Sequence, residues 1–285
     1  MKNLLTSLFL CAGLLLNAQA LEKSLLWKIS GNGLSKPSYL YGTIHVTCDA
    51  TLHSGVEKAM SETSQLYLEI DMDDPNMQSL MMGSMMMAGG KKMSTLAKPE
   101  EVRLVDNYLK KNLGMPLAMM DQVKPIFISM MFLTKLLDCP VQSVEQNLIK
   151  ISAAQKEEVF GLETVSEQMA VLDAVPYEEQ MTELVKSVQS DLSNDKKEIN
   201  MLLDLYKNQD IEGMLKAARE SENVTTSKYE NELLIRRNQN WISKIARAAA
   251  EKPTFFGVGA AHLAGENGVI KLLRKAGFRV EAVKG

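Results

Sequence analysis

Histidine, cysteine and aromatic residues are scarce in this chain, and their scarcity narrows what it can do. The 285 residues include three histidines and three cysteines, and aromatic side chains make up 6%. No GxSxG elbow, phosphate-binding GxxxxGK[ST] loop, GxGxxG turn or CxxC pair occurs in it. Serine hydrolases, P-loop nucleotidases, dinucleotide enzymes and thiol oxidoreductases therefore lack their usual support. An excess of positive charge is also missing. The net charge is −3, the pI is near 5.8 and there is no long basic run, which argues against nucleic acid as a partner. Beyond residue 20 no stretch approaches the roughly twenty uninterrupted apolar residues that cross a bilayer. The best candidate, Pro125 to Leu137, is broken by Lys135. What remains has a globular composition, 46% hydrophobic and 24% charged.

The first twenty residues read as a secretory leader. Met1-Lys2-Asn3 carries a positive charge, Leu4 to Leu16 is apolar, and Ala18-Gln19-Ala20 is a small-x-small cleavage site. The bulky Leu10 before Cys11 speaks against lipoprotein processing. The expected mature domain is 21–285, exported to a periplasmic or extracellular space. Removing the leader leaves Cys48 and Cys139, an even pair that permits one disulfide in an oxidising compartment; the bridge is the expected reading, and two buried free thiols are the alternative.

The pattern along the chain predicts strands at its ends and helices in its middle. Leu25 to Ile29 and Ser38 to His45 form a hairpin around a Gly, Asn and Pro turn. A helix follows over 54–64, then a strand over Gln65 to Asp71 with Glu69 inside it. Residues 75–137 are helical and rich in methionine, including Met81, Met82 and Met85 to Met87. Such a tract can ligate copper through thioethers, but adaptable packing is the commoner use. Gly89 to Lys92 interrupts it as an exposed loop. Helix over 143–155 and strand over 158–162 come next, then helices over 176–208 with a break at Ser193-Asn194-Asp195, over 210–219 and over 228–249. Strand 254–258, helix 268–276 and strand 279–283 close the chain. The expected fold is α/β with a mixed sheet, a single domain carrying a large helical insertion at about 75–140.

Two of the three histidines close matching motifs, Gly42-Thr43-Ile44-His45 and Gly259-Ala260-Ala261-His262. Each follows an apolar run, so each glycine lets the backbone bend as it leaves the sheet and presents an imidazole at the strand's carboxyl end. Open α/β folds place their sites on that edge, where the backbone at Gly42 and Gly259 can lie against a substrate. With Glu69 as carboxylate, His45 and His262 make a minimal set for a divalent ion such as manganese, cobalt or zinc. The same three residues could also act without metal, with one histidine as general base. His53, before a helix, reads as a polar loop residue. Glu163 ends a second strand-then-carboxylate segment, with Glu167 and Gln168 one helical turn on, and Arg236-Arg237-Asn238 lies within a helix. Capping by Thr164 and Ser166 and an exposed basic face account for these equally well.

Taken together, these segments resemble the TraB/GumN family, which includes the TIKI proteins. The resemblance is carried by Ser38 to Val46, Leu68 to Asp71, Gly161 to Thr164 with Glu167-Gln168, Arg237-Asn238 with Trp241, and Gly257 to Leu263. It implies a mixed α/β core, similar to that of erythromycin esterases, and, for the TIKI branch, metal-dependent proteolysis. The metal roles would fall on His45, Glu69 and His262, with Glu163, Arg237 and Asn238 as supporting pocket residues. The expected function is an exported metal-dependent hydrolase acting on a peptide or protein, with Glu163 or Arg237 handling a proton or the oxyanion. The alternatives are a non-catalytic protein that sequesters a peptide or haem-like ligand, and a metal-free histidine hydrolase.

Overall fold

The computed structural model describes residues 20–284, so the expected leader lies outside the described residues except for Ala20. Six strands form one mixed sheet: β1 (Leu26–Ser30), β2 (Ser38–Thr43), β3 (Leu66–Leu68), β4 (Val159–Gly161), β5 (Phe255–Gly259) and β6 (Arg279–Ala282). Their order is β4-β3-β5-β2-β1-β6. The first four in that order run parallel, and β1 pairs antiparallel with both β2 and β6. The fold is thus α/β, as the strand pattern predicts.

Burial follows the physics of the two sheet types. Central parallel strands covered on both faces read as continuous apolar runs. The segments SYLYGT of β2 and FFGVG of β5 are buried along almost their whole length. Edge strand β6, Arg-Val-Glu-Ala, instead buries Val280 and exposes Arg279 and Glu281. The hairpin β1–β2 turns through Gly31, Asn32 and Gly33, all with positive φ. The core beneath the sheet is built on Trp27, Trp241, Phe255 and Phe256.

Helical sequence occupies both long connections, between β3 and β4 and between β4 and β5. A second core, with no strand residue in it, joins Met93, Val105, Leu109 and Ile128 to Met181 and Leu184. The helical break expected at Ser193-Asn194-Asp195 falls slightly earlier. The helices are Tyr177–Gln189 and Ser193–Lys207, and the chain turns between them with positive φ at Asp191 and Leu192. Cys48 and Cys139 are joined by a disulfide with Cα atoms 5.7 Å apart, the bridge expected of the even pair in the mature chain. No helix among the described residues is long and apolar enough to cross a membrane.

The two glycine-histidine motifs end neighbouring parallel strands, with Gly42 opposite Val258 and Thr43 opposite Gly259. Glycine at position 42 is needed for close approach. A Cβ there would lie 3.1 Å from the Cα of Ala260 and 2.9 Å from Leu263 Cδ1. The second motif therefore packs directly on the first.

Candidate functional site

Four parallel strands deliver their carboxyl ends to one edge, and the polar residues following three of them meet there. β3 ends at Leu68, so Glu69 is the first residue beyond the strand and not within it as its alternating pattern suggests. β4 runs beside β3, and the pairing continues past both ends: Leu162 N–H donates to the Leu68 carbonyl and Glu163 N–H to that of Glu69, each at 2.8 Å. The two glutamates are thereby held side by side. Gly161 makes this turn possible, since a Cβ there would sit 2.6 Å from the Glu163 carbonyl oxygen and 2.8 Å from the Asp71 nitrogen.

Arg237 faces this pair from the helix Arg236–Glu251, which follows a turn of π-helix at Asn231–Ile235. Such wide turns often adjust where a helix aims its side chains at a functional site. A guanidinium has five N–H donors, and here every one is used. Nε donates to Glu163, Nη2 to Glu69 Oε2 and Glu163 Oε1 at 2.6 Å each, and Nη1 to the Leu233 carbonyl at 2.9 Å and towards His262 Nε2 at 3.1 Å. Trp241, one turn along, stacks beneath the guanidinium at 4.9 Å and donates its indole N–H to Glu163 Oε2. The Gln168 amide donates to both carboxylates. Glu69, Glu163, Arg237, Asn238 and His262 are all buried.

His262 sits on the short turn Ala260–His262 that follows β5. The amide of Asn238 donates to the His262 and Asn267 carbonyls, which leaves its Oδ1 to accept from His262 Nδ1 at 2.6 Å. That bond fixes the proton on Nδ1 and the lone pair on Nε2, which faces Arg237 and lies 3.7 Å from Glu69 Oε1. Burial drives the imidazole down to about 3, so it is neutral at neutral pH. Burial alone would raise the Glu69 carboxyl, but neighbouring His262, Arg237 and His45 and the Gly259 N–H hold it at about 2. Gly259 N–H donates to Glu69 Oε1 at 2.8 Å, so it braces the carboxylate and is not free for a substrate. Gly42 likewise has its carbonyl taken, by the Tyr206 hydroxyl.

His45 lies on the loop after β2, outside this bonded cluster. Its side chain is 66% exposed, and Nδ1 forms an ion pair with Glu145 Oε1 at 2.7 Å. The Glu145 contact raises His45 to about 9. Its charge acts on Glu69 and His262. Among the described residues, no three His, Cys, Asp or Glu side chains are grouped to hold a metal ion, so the expected triad is not assembled. The donor chemistry nonetheless fits a cation. Two buried carboxylates face a single guanidinium, which leaves one negative charge unbalanced beside the lone pair of a neutral imidazole. Metal-bound histidines commonly have the other ring nitrogen held by a hydrogen-bond partner, as Asn238 holds His262 here; His45 Nδ1 is held instead by its ion pair with Glu145.

Of the remaining expectations, Glu167 serves the capping box with Thr164, and His53 is the N-cap residue of the helix Ser54–Ser61, with its ring edge-on to Tyr41. Glu145 and the Leu233 carbonyl were not foreseeable. Glu145 follows a helix-capping serine, and an acidic first turn is an ordinary helix signal.

The profile of the TraB/PrgY/gumN family matches residues 25–282. Over 313 residues the chain is 23% identical to a protein of Danio rerio named Metalloprotease TIKI1, covering 90% of this chain and 63% of that protein. It is 23% identical to a Metalloprotease TIKI homolog of Nematostella vectensis over 92% of this chain and 67% of the relative. With Metalloprotease TIKI2 of Danio rerio it shares 21% over 90% of this chain and 60% of the relative. The chain thus spans about three fifths to two thirds of the length of these curated relatives. No solved structure gives a significant match.

Proposed function

The chain belongs to the TraB/PrgY/gumN family, and on that premise we propose that it is an exported metal-dependent hydrolase whose substrate is a peptide or protein. The observation that carries this reading is the buried cluster of Glu69, Glu163, Arg237 and His262, gathered from four separate elements at the carboxyl edge of the parallel strands. The distant likeness to proteins named metalloproteases supports the reaction class. Export is supported by the leader-like first twenty residues and by the disulfide.

A divalent ion held by His262 Nε2, Glu69 and His45 would polarise a scissile carbonyl and lower the pKa of bound water. The protein's own part follows from the bonds described above. Asn238 keeps the His262 proton on Nδ1, so the lone pair faces the reaction centre. Glu163 holds the guanidinium through Nε and Nη2, so Arg237 stays in place if the contact from Nη1 is released. Once His262 Nε2 is engaged elsewhere, that Nη1–H is the donor free to meet an oxyanion. A cavity of about 270 Å³ bounded by Glu163, Arg237 and Trp241 opens beside the cluster and gives room for a substrate group.

The test is cleavage of a peptide library by the purified chain, with and without chelator, together with metal analysis. We expect chelator-sensitive turnover that is lost in His262→Ala and Glu69→Ala. Turnover that survives chelation by a protein with no bound ion would transfer the work to a metal-free histidine base. Peptide affinity retained in both variants, with turnover never observed, would leave a binding protein.

A further inference from the structure

The loop that carries His45 is fastened to one stretch of chain, residues 139–147, by a dense set of links. The Cys48–Cys139 disulfide is the first. Thr47 and Gln142 exchange both backbone hydrogen bonds, at 3.1 and 2.8 Å. The Gln142 side chain donates to the Cys48 carbonyl and accepts from Ala50 N–H, and Asn147 donates to the Ala50 carbonyl. At the centre stands Glu145, 3% exposed, with the Ser143 hydroxyl donating to Oε2 and His45 Nδ1 2.7 Å from Oε1 in an ion pair. A buried carboxylate costs several kcal/mol unless its partners compensate it. Among the described residues its one cationic partner is a histidine that is itself largely exposed and gains little from burial. Packing alone therefore does not account for the pair.

We propose that Glu145 is a positioning residue for the site: it holds the His45 ring by Nδ1 and so keeps Nε2, on the far side of the ring, available to the Glu69–His262 centre. This rests on the function proposed above and adds a carboxylate, and the tether that carries it, to the residues that make the site work. An imidazole held at one nitrogen by a carboxylate is more basic and better oriented at the other. Without Glu145 the exposed His45 side chain would sample several rotamers, and the ordering would have to be supplied at each binding event.

The experiment uses the whole chain with ¹⁵N-labelled histidine. Three histidines give three ring systems, assigned by His45→Gln, His53→Gln and His262→Gln. In the metal-free protein, Glu145→Gln should shift and broaden the His45 ring nitrogens and leave those of His53 and His262 unmoved, with Glu145→Asp recovering part of the wild-type signature. Titrated with Co²⁺ alone, Glu145→Gln should bind about 10- to 100-fold more weakly than wild type, and His45→Ala/Glu145→Gln no more weakly than His45→Ala. Unchanged His45 resonances in Glu145→Gln, or losses of Co²⁺ affinity that multiply in the double variant, would overturn the proposal. If Glu145→Gln does not fold, as judged by circular dichroism, the same readouts are taken on Glu145→Asp. A wild-type protein that binds no Co²⁺ would count against the metal reading above, and the ring resonances would still decide the role of Glu145.

Discussion

At the scale of single residues, Arg237 holds the site together. All five of its N–H groups are bonded, and two buried carboxylates depend on it. Removing one member of a buried ion pair costs about 3–5 kcal/mol, because the other charge is left uncompensated. Arg237→Met should therefore lower the urea midpoint sharply. Arg237→Lys should recover little, since an ammonium group cannot reproduce a planar five-donor fork. The same cluster sets the acid limb of stability. His262 is held near 3 against an ordinary 6.5, so between those values the unfolded chain takes up a proton that the folded chain refuses, and stability falls as pH falls. Glu69, held near 2, contributes stability that is complete above about 4.5 and is lost as pH drops through 2. Urea midpoints measured from pH 7 to 3 should decline for wild type from about pH 6.5 downward. In His262→Gln the midpoint should fall less than in wild type between about 6.5 and 4.5, a window in which Asp71, raised to about 6, acts with the opposite sign. On the alkaline side His45, raised to about 9, contributes stability that is present below 6.5 and is lost as pH rises through 9. Glu145→Gln should remove that loss.

Among the elements, the strand ends decide where the chemistry sits, and one glycine illustrates how. A methyl group at Gly161 would meet backbone on two sides, the Glu163 carbonyl and the Asp71 nitrogen, and backbone cannot give way as a side chain can. Gly161→Ala should cost about 1–3 kcal/mol and draw Glu163 away from Arg237. Gly83→Ala, in the helix Met77–Ser84 with open space around the new methyl, should be neutral or stabilising by up to about 1 kcal/mol. Thermal melts of the two variants check both. Periodicity made β1, β2, β5 and most helices legible in the sequence, because buried parallel strands and amphipathic helices carry strong patterns. The short strands β3 and β4 were located, but the end of β3 was not: Glu69 continues the alternation after its pairing has stopped being strand-like. Histidine spacing pointed to both motifs. It could not show that His45 turns to Glu145, since that contact joins residues a hundred positions apart and Glu145 looks like an ordinary first-turn acid. Nor could sequence tell that Arg237 is fully bonded, which depends on the π-helical turn before it.

Across the whole molecule, two cores share one chain: one lies under the sheet and the other is built from helices. The disulfide links a loop on the sheet side to the bend that follows the helix Leu133–Leu136, closing a loop with a sequence separation of 91. Loop entropy alone assigns such a link about 4–5 kcal/mol. Cys48→Ser/Cys139→Ser should therefore melt at a lower temperature. Hydrogen exchange should then show helix Pro99–Leu113 opening before β2 and β5, whereas the oxidised protein should open them together. Both tryptophans belong to the sheet-side core, and none lies in the helical one. One of them, Trp241, rests against the guanidinium of Arg237 and has its ring centre 4.6 Å from that of His262. The protein thus carries a fluorophore inside its own candidate active site. Its emission should respond to a proton or an ion arriving at His262, yet remain blind to unfolding of the helices on the other side.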